Sequence, residues 1–243
     1  MTAATLFRVA PEVFAAFPNY FVACVVARGI DRTPTSARFE ELVLGSGERA
    51  RATYEGLDLK DEPPFAAWRK AFSQAGWSPS RFPASVEAIH KRVQRGADLP
   101  RINTPVDLAN SAVLYYAVPV GTHDIGSFAG QPLEVRYARG ADRFNAMGGE
   151  EERPDAGEIV YAVGADIRTR RWVWRQGRSG LVSADALDIF FPIDGFADET
   201  FDAVVAAQNY LAEVCAADLS AHVETAIVDA GRPELTVDLD ADA

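Results

Sequence analysis

One helical stretch of the sequence, "LPRINTPVDLANSAVLYYAVPVGTHD" at residues 99–124, places a carboxamide among apolar side chains. Asn110 shares its face of the expected helix with Val106, Val113 and Ala117, which recur at helical spacing. A buried amide without hydrogen-bond partners costs about 1–3 kcal/mol, so this side chain needs partners. Two interpretations are open: Asn110 pins a neighbouring loop through backbone hydrogen bonds, or it lines a pocket and binds a polar group of a ligand.

A second stretch, residues 168–178, has the sequence "RTRRWVWRQGR" and combines five arginines with two tryptophans. As one strand it would place Arg168, Arg170, Trp172 and Trp174 on one face and Arg171, Val173 and Arg175 on the other. Basic residues between aromatic ones suit phosphate contact and base stacking. The alternative is a sheet whose arginines pair with the surplus carboxylates of the chain. A second basic stretch, residues 90–101, would extend the patch if the two are neighbours in space.

A third candidate is Glu158, at the end of the acidic stretch "MGGEEERPDAGE". The spacing of the acidic residues fits no recognised metal-binding loop, so we interpret the stretch as a solvated loop. Glu158 differs because it opens an expected strand, where it either faces a pocket and binds an amino group or has a purely structural role. The three histidines, His90, His123 and His222, have no metal-ligand spacing, and we expect neither a metal nor a cofactor.

The composition indicates an ordinary globular protein. The chain has 243 residues, of which 48% are hydrophobic and 24% charged, and its net charge of −11 argues against strong non-specific nucleic-acid binding. We expect Cys24 and Cys215 to be buried free thiols. No segment reaches the ~20 apolar residues that a bilayer requires, and no secretion signal is evident at the N-terminus, so we expect a cytoplasmic protein with no membrane partner.

The helices and strands that must position these residues are predicted from the periodicity of apolar residues and from the Gly, Pro and capping residues that end each element. Strands are expected over residues 5–9 and 20–27, and the second is apolar enough to be buried on both faces. Five helices are expected. The first begins near Ser36, the second runs from Pro64 to Gly76, and the third begins after an N-cap at Ser85. The fourth begins after an N-cap at Thr104, with Pro105 and Asp107 in its first turn, and the fifth covers residues 198–217. Short strands are expected in "QPLEVRYA", "GEIVYAVG", "TRRWVWRQ" and "ALDIFFPI".

This order predicts an α+β protein with a mostly antiparallel sheet and flanking helices. We predict a single domain over residues 1–228, followed by a frayed acidic C-terminal tail at 229–243.

A family resemblance rests on an ordered series of motifs: "PASVEA", "LPRIN", "VDLAN", an Asp that opens the next element, and "RYA". It continues through "GEIVYAVG" and "RWVWRQGRSGLVSADALDIFFPIDG" and covers about residues 60–196. The series resembles the B-three/B-four domain of the phenylalanyl-tRNA synthetase β subunit, and more closely stand-alone proteins built from that domain. In the synthetase this domain hydrolyses mischarged tyrosyl-tRNA. The resemblance therefore implies the editing-domain fold and a pocket for an aminoacyl group on tRNA.

Only part of the family's site pattern carries over. Asp107, Asn110 and Asp124 match it. Ala109 occupies the position of the family's Thr, and Gly121 that of its His, with His123 nearby. The stretch "DIFFPIDG" has no Glu to match the pocket Glu of the synthetase.

The sequence thus predicts a tRNA-editing-type protein that hydrolyses misacylated tRNA in trans. The alternative is a non-catalytic module that binds a free amino acid, a small ligand or tRNA. The expected catalytic residues are Asn110, Asp107 and Glu158. The expected substrate-binding residues are Ala109, Gly121, His123, Asp124, Arg136, Arg175 and Gln176. Among them, Arg136 and Arg175 would hold the RNA end. The expected partner is the aminoacylated 3′ end of a tRNA or a free amino acid.

Overall fold

The computed structural model describes residues 3–34 and 36–238. The helices in these residues are α1 (Pro11–Ala16), α2 (Ala37–Thr53), α3 (Pro63–Gln74), α4 (Ser85–Gln94), α5 (Thr104–Tyr116) and α6 (Phe201–Asp218). The strands are β1 (Ala3–Val9), β2 (Tyr20–Arg28), β3 (His123–Asp124), β4 (Leu133–Tyr137), β5 (Phe144–Asn145), β6 (Glu151–Glu152), β7 (Ile159–Val163), β8 (Asp166–Arg170), β9 (Arg175–Gln176), β10 (Ile189–Phe196), β11 (His222–Val228) and β12 (Glu234–Asp238).

Two sheets carry the fold. The larger has the strand order β12-β1-β4-β7-β8-β9, and the smaller has the order β11-β2-β10-β3. Every pair in these two sheets is antiparallel except β1 and β4, which are parallel. The expected α+β class with a mostly antiparallel sheet is therefore confirmed.

The smaller sheet is buried on both faces because β2 and β10 are apolar on both sides. On β2, Val22, Cys24 and Val26 belong to the core shared with the larger sheet. The alternate residues Ala23 and Val25 belong to a second core, in which side chains of α6 also pack. This alternation explains why β2 is a continuous apolar run.

Several local expectations are corrected by the structure. The N-cap of α5 is Asn103 rather than Thr104, and its side chain accepts a hydrogen bond from the Val106 amide. Ser85 is the first residue of α4 and not its N-cap. The part of the expected frayed tail that the structure describes, residues 229–238, contains a strand, because β12 pairs with β1 and buries Leu235 and Val237, and residues 239–243 of that tail lie outside the described residues.

The segment 168–178 is also not one strand. It forms β8 and β9, which pair with each other, and the turn between them carries positive φ angles of 44° at Arg171 and 62° at Trp172. The expected division of its side chains between two strand faces is therefore wrong. The acidic stretch before Glu158 contains β6, which pairs with β5 in a short hairpin.

Candidate functional site

A cavity of about 150 Å³ lies where α5, the loop after it, β7, β10 and the β8–β9 turn meet. A cavity of about this volume can hold a molecule of the size of benzene, which is comparable to one amino-acid side chain. Its walls combine apolar groups such as Val106, Ile89 and Val120 with the polar side chains described below. Mostly apolar walls with a few convergent polar groups are typical of a ligand site.

Asn110 lines this cavity from helix α5. Its side chain is half-buried, and no residue in the described part of the chain forms a hydrogen bond with the carboxamide. Asn103, at the start of the same helix, differs because both ends of its amide are bonded, to Val106 and to Val182. Of the two interpretations, the structure therefore does not support a backbone pin. Asn110 also borders a second hollow, of about 430 Å³, between α2 and residues 98–101.

His123 lines the cavity from β3 and is only 3% exposed. Its ring stacks on Tyr161 with a centroid distance of 5.9 Å, and it has no hydrogen-bond partner among the described residues. Burial, helped by the charge of Arg168, lowers the pKa of His123 to about 3. At neutral pH the cavity therefore contains a neutral imidazole whose nitrogens are available to a ligand.

The floor of the cavity contains a carboxyl group that we did not single out from the sequence. Asp194 is 2% exposed, and the hydroxyl groups of Tyr20 and Tyr161 both donate to its Oδ1 at 2.6 Å. Burial raises the pKa of Asp194 to about 6, although the two tyrosines and the Trp172 indole favour the charged form. A buried carboxyl that titrates near neutrality is a frequent feature of functional sites.

The position of Asp194 follows from strand alternation. Along β10, Phe190, Asp194 and Phe196 point to the same face, toward the larger sheet, while Phe191 and Ile193 point to the opposite core. The available signal was a lone Asp in the apolar run "IFFPIDGF", because a buried charge requires polar partners. The partners come from β2 and β7, and the sequence did not show that they meet.

Three further expected residues are at the cavity. Gly121, Arg175 and Gln176 all line it. An added Cβ at Gly121 would lie 2.8 Å from Pro192 Cγ and 3.1 Å from His123 Nε2, so a larger residue here would require the Pro192 ring or the loop to shift. Arg175 donates to Glu152 Oε2 at 2.6 Å, and the Gln176 amide donates to the Gly180 carbonyl.

Three others lie outside the cavity. Ala109 is packed in the core between α5 and the smaller sheet. Asp124 accepts from the Gly126 amide at 2.9 Å and starts a short turn. Asp107 accepts from the Ile102 amide at 2.8 Å and from Arg101 Nε at 2.7 Å, so it holds the chain that enters α5.

Glu158 and Arg136 form buried ion pairs and are not ligand-binding groups. Glu158 is fully buried, pairs with Arg170 and accepts from the Arg171 amide. Arg136 is 1% exposed and binds both oxygens of Asp142, at 2.7 and 2.9 Å. The expectations that Glu158 faces the pocket and that Arg136 holds an RNA end are therefore wrong, because each charge is already neutralised inside the protein.

The arginine-rich segment is largely neutralised as well. Arg168 pairs with Asp166, Arg170 with Glu152 and Glu158, Arg171 with Asp155, and Arg175 with Glu152. The expected proximity of basic and aromatic side chains is present. The Arg171 and Arg175 guanidinium groups lie 4.9 and 4.7 Å from the Trp174 ring centroid beside the cavity.

The described part of the chain contains no cluster of three or more potential metal ligands. No helix in that part has the length and apolar character to cross a bilayer. Cys24 and Cys215 are free and buried, as expected.

Comparison with known proteins gives the family. The B3/4 domain profile matches residues 67–211, which is more than half of the chain, and the chain belongs to this family. This agrees with the resemblance seen in the sequence motifs.

Its curated relatives are phenylalanine–tRNA ligase beta subunits. The subunit from Streptococcus pneumoniae is 34% identical over 62 residues, and the one from Geobacter metallireducens is 30% identical over 112 residues. These matches cover 26% and 46% of this chain but only 8% and 13% of the relatives. This chain therefore corresponds to a small part of those proteins.

Among solved structures, an N-terminal fragment of the phenylalanyl-tRNA synthetase beta subunit from Pyrococcus horikoshii is similar, with a TM-score of 0.44 at 12% identity. The match covers 90% of this chain and 50% of that chain.

Proposed function

We propose that this chain hydrolyses the ester of a misacylated tRNA in trans, with the cavity holding the aminoacyl group. The observation that carries the proposal is that Asn110 and His123, both without hydrogen-bond partners in the described part of the chain, line one cavity of side-chain size. Membership in the B3/4 family and the relatives' name, phenylalanine–tRNA ligase, support an aminoacyl ligand.

In the proposed reaction, a water oxygen attacks the ester carbonyl, the bond from that carbon to the ribose oxygen breaks, and the ribose oxygen takes up the proton lost by the water. The Asn110 amide donates to the carbonyl oxygen as negative charge develops on it. The neutral imidazole of His123 accepts a hydrogen bond from the attacking water. With a pKa of about 3 it is a weak base, so its role is to orient the water.

The test incubates the purified chain with a panel of misacylated tRNAs and compares ester half-lives with and without protein. We expect a shorter half-life for at least one member, and a loss of about 10²–10³-fold in rate for Asn110→Ala, the usual effect of removing one oxyanion donor. Asn145→Ala, at an exposed asparagine of β5, is the matched control and should keep the rate. If no ester in the panel is cleaved faster, the deacylase proposal is wrong.

A second candidate is a non-catalytic module that binds a free amino acid or a tRNA end. The ion pairing of the arginines beside the cavity favours it, because paired arginines attract phosphate weakly. A thermal-shift panel of free amino acids separates the two. A ligand present at 100 times its Kd stabilises by about 2.7 kcal/mol. Such a shift without any acceleration of ester hydrolysis supports the binding module.

A further inference from the structure

The carboxylate at the cavity floor differs from the other buried carboxylates of this protein. Five of them have a basic partner within 4 Å among the described residues: Glu87 with Arg69, Asp107 with Arg101, Glu134 with Arg8, Asp142 with Arg136, and Glu158 with Arg170. Asp194 is equally buried, but no Lys or Arg in the described part of the chain forms an ion pair with it. Its protein partners are two neutral hydroxyl groups on Oδ1.

The second oxygen, Oδ2, receives no hydrogen bond from the described residues. The indole N–H of Trp172 faces this carboxyl without reaching hydrogen-bond geometry to any acceptor. Asp194 lines the cavity and its Oδ1 is occupied by the two tyrosine hydroxyl groups, so we infer that Oδ2 is the oxygen that accepts from a ligand.

The surroundings of Asp194 are aromatic. Tyr20 and Trp172 pack edge to face at a centroid distance of 4.6 Å, and Tyr161 stacks on His123. Aromatic faces attract a cation, and they do so more strongly where water is excluded. An unpaired carboxylate within such a set of rings favours a positively charged donor over a neutral one.

We propose that Asp194 binds an ammonium group of the ligand and so supplies the cavity's main specificity for charge. The ligand would provide the cation that the protein itself supplies at the five other buried carboxylates of the described residues. This inference rests on the proposed function, in which an aminoacyl group enters the cavity. The ammonium belongs either to the α-amino group or to the end of a side chain.

Simple probes distinguish these two sources. Alaninamide carries an α-ammonium, and lactamide is the same molecule with a hydroxyl in its place. Butylamine imitates an ammonium-bearing side chain, and butanol is its neutral counterpart. Calorimetry or NMR titration about one pH unit above the Asp194 pKa of about 6, where the α-amino group of alaninamide is still mostly protonated, should show at least tenfold tighter binding of one amine than of its alcohol. The preferred pair identifies the source.

The same preference should disappear as the pH falls below about 6, because the Asp194 carboxyl becomes protonated. The other titratable groups around it are Tyr20 and Cys24 on β2, Tyr161 on β7 and His123 on β3. Burial raises the pKa values of the two tyrosines and the thiol and lowers that of His123 to about 3, so these groups stay neutral across this range.

Asp194→Asn should abolish the preference of the amine over the alcohol at high pH. Asp198→Asn removes the same charge from an exposed position just beyond β10 and should leave the preference unchanged. The pH series on the unmodified chain tests the proposal even if the Asp194→Asn variant does not fold.

Equal affinities for amine and alcohol, or a preference that persists in Asp194→Asn, would overturn this inference. So would a failure of all four probes to bind while ester hydrolysis is observed. In each case the deacylase proposal stands or falls separately, by the tRNA assay.

Discussion

At the scale of single residues, two asparagines of the α5 region differ in whether their side-chain amides have hydrogen-bond partners within the described protein. Asn103 has both polar atoms bonded, and it closes the N-terminus of α5. Asn110, two turns later, presents the same group to a cavity and has no partner among the described residues. A group that contributes no internal hydrogen bond can be removed with little effect on folding.

Asn110→Ala is therefore expected to keep or slightly raise the free energy of unfolding, because Ala has a higher helix propensity than Asn by up to about 0.7 kcal/mol. Asn103→Ala is the control and should lower the free energy of unfolding by about 1 kcal/mol through loss of the cap. Urea denaturation measures both. A loss above about 2 kcal/mol in Asn110→Ala would show that its amide has a structural role.

The Asp194 carboxyl should destabilise the folded protein above its pKa. Its pKa rises from 3.8 to about 6 on folding, so the folded state binds more protons between these values and stability falls as pH rises through about 4 to 6. Two pKa units correspond to about 3 kcal/mol. Asp194→Asn should be more stable than the parent by up to about this amount near pH 8. The unfolding free energies of Asp194→Asn and the parent, measured by urea denaturation, should become similar near pH 4. A difference between them that stays constant across pH would contradict the raised pKa of Asp194.

His123 should change the free energy of unfolding in the opposite direction over an overlapping pH range. Its pKa falls from 6.5 to about 3 on folding, so the stability linked to the neutral imidazole is present above pH 6.5 and is lost as pH falls toward 3. His123→Phe should remove this acid sensitivity, as measured by the difference in unfolding free energy from the parent at several pH values. An unchanged pH dependence would mean that the imidazole is not held neutral.

At the scale of elements, the loop between α5 and β3 positions half of the site. The Gly121 amide donates to the Pro192 carbonyl at 2.8 Å, and the Asp194 amide donates to the Pro119 carbonyl at 3.2 Å, so the loop is fixed to β10. This attachment brings His123 and Asp194 into one cavity although they are far apart in the sequence.

Gly121→Ala is expected to disturb this arrangement. The new methyl group would lie 2.8 Å from the Pro192 ring, and overpacking of this kind costs about 1–3 kcal/mol. The displaced His123 should also reduce ligand binding or ester hydrolysis. Gly140→Ala adds a methyl with no heavy atom within 4 Å and should leave both properties unchanged. Unchanged ligand binding and ester hydrolysis in Gly121→Ala would show that neither depends on the position of this loop.

At the scale of the whole molecule, the two ends of the described chain pair with each other at one edge of the larger sheet. Strand β12 covers β1, and its Leu235 is 5% exposed. Leu235→Ala should lower the free energy of unfolding by about 2–5 kcal/mol, the range for truncating a buried leucine. Leu44→Ala, at a leucine that is 65% exposed, is the control and should change it little. Equal effects of the two variants in urea denaturation would contradict the pairing of β12 as a packed strand.

The amino-acid sequence by itself determined the five longer helices, the α+β class, the doubly buried strand β2 and the family. These follow from periodicity and from an ordered motif series, which are local properties, whereas the N-caps at Ser85 and Thr104 were each placed one residue too late. It also placed Asn110, Gly121, His123, Arg175 and Gln176 near a ligand, and all five line the cavity.

Only the tertiary structure decided which charges are free. Glu158, Arg136 and Asp107 resemble site residues in sequence, but each meets an opposite charge from another segment. Asp194 looks like an ordinary strand residue until β2 and β7 bring two tyrosines, and no cation from the described residues, to its side. Whether a charged group is neutralised depends on neighbours distant in the chain, and a single sequence does not state which strands are adjacent.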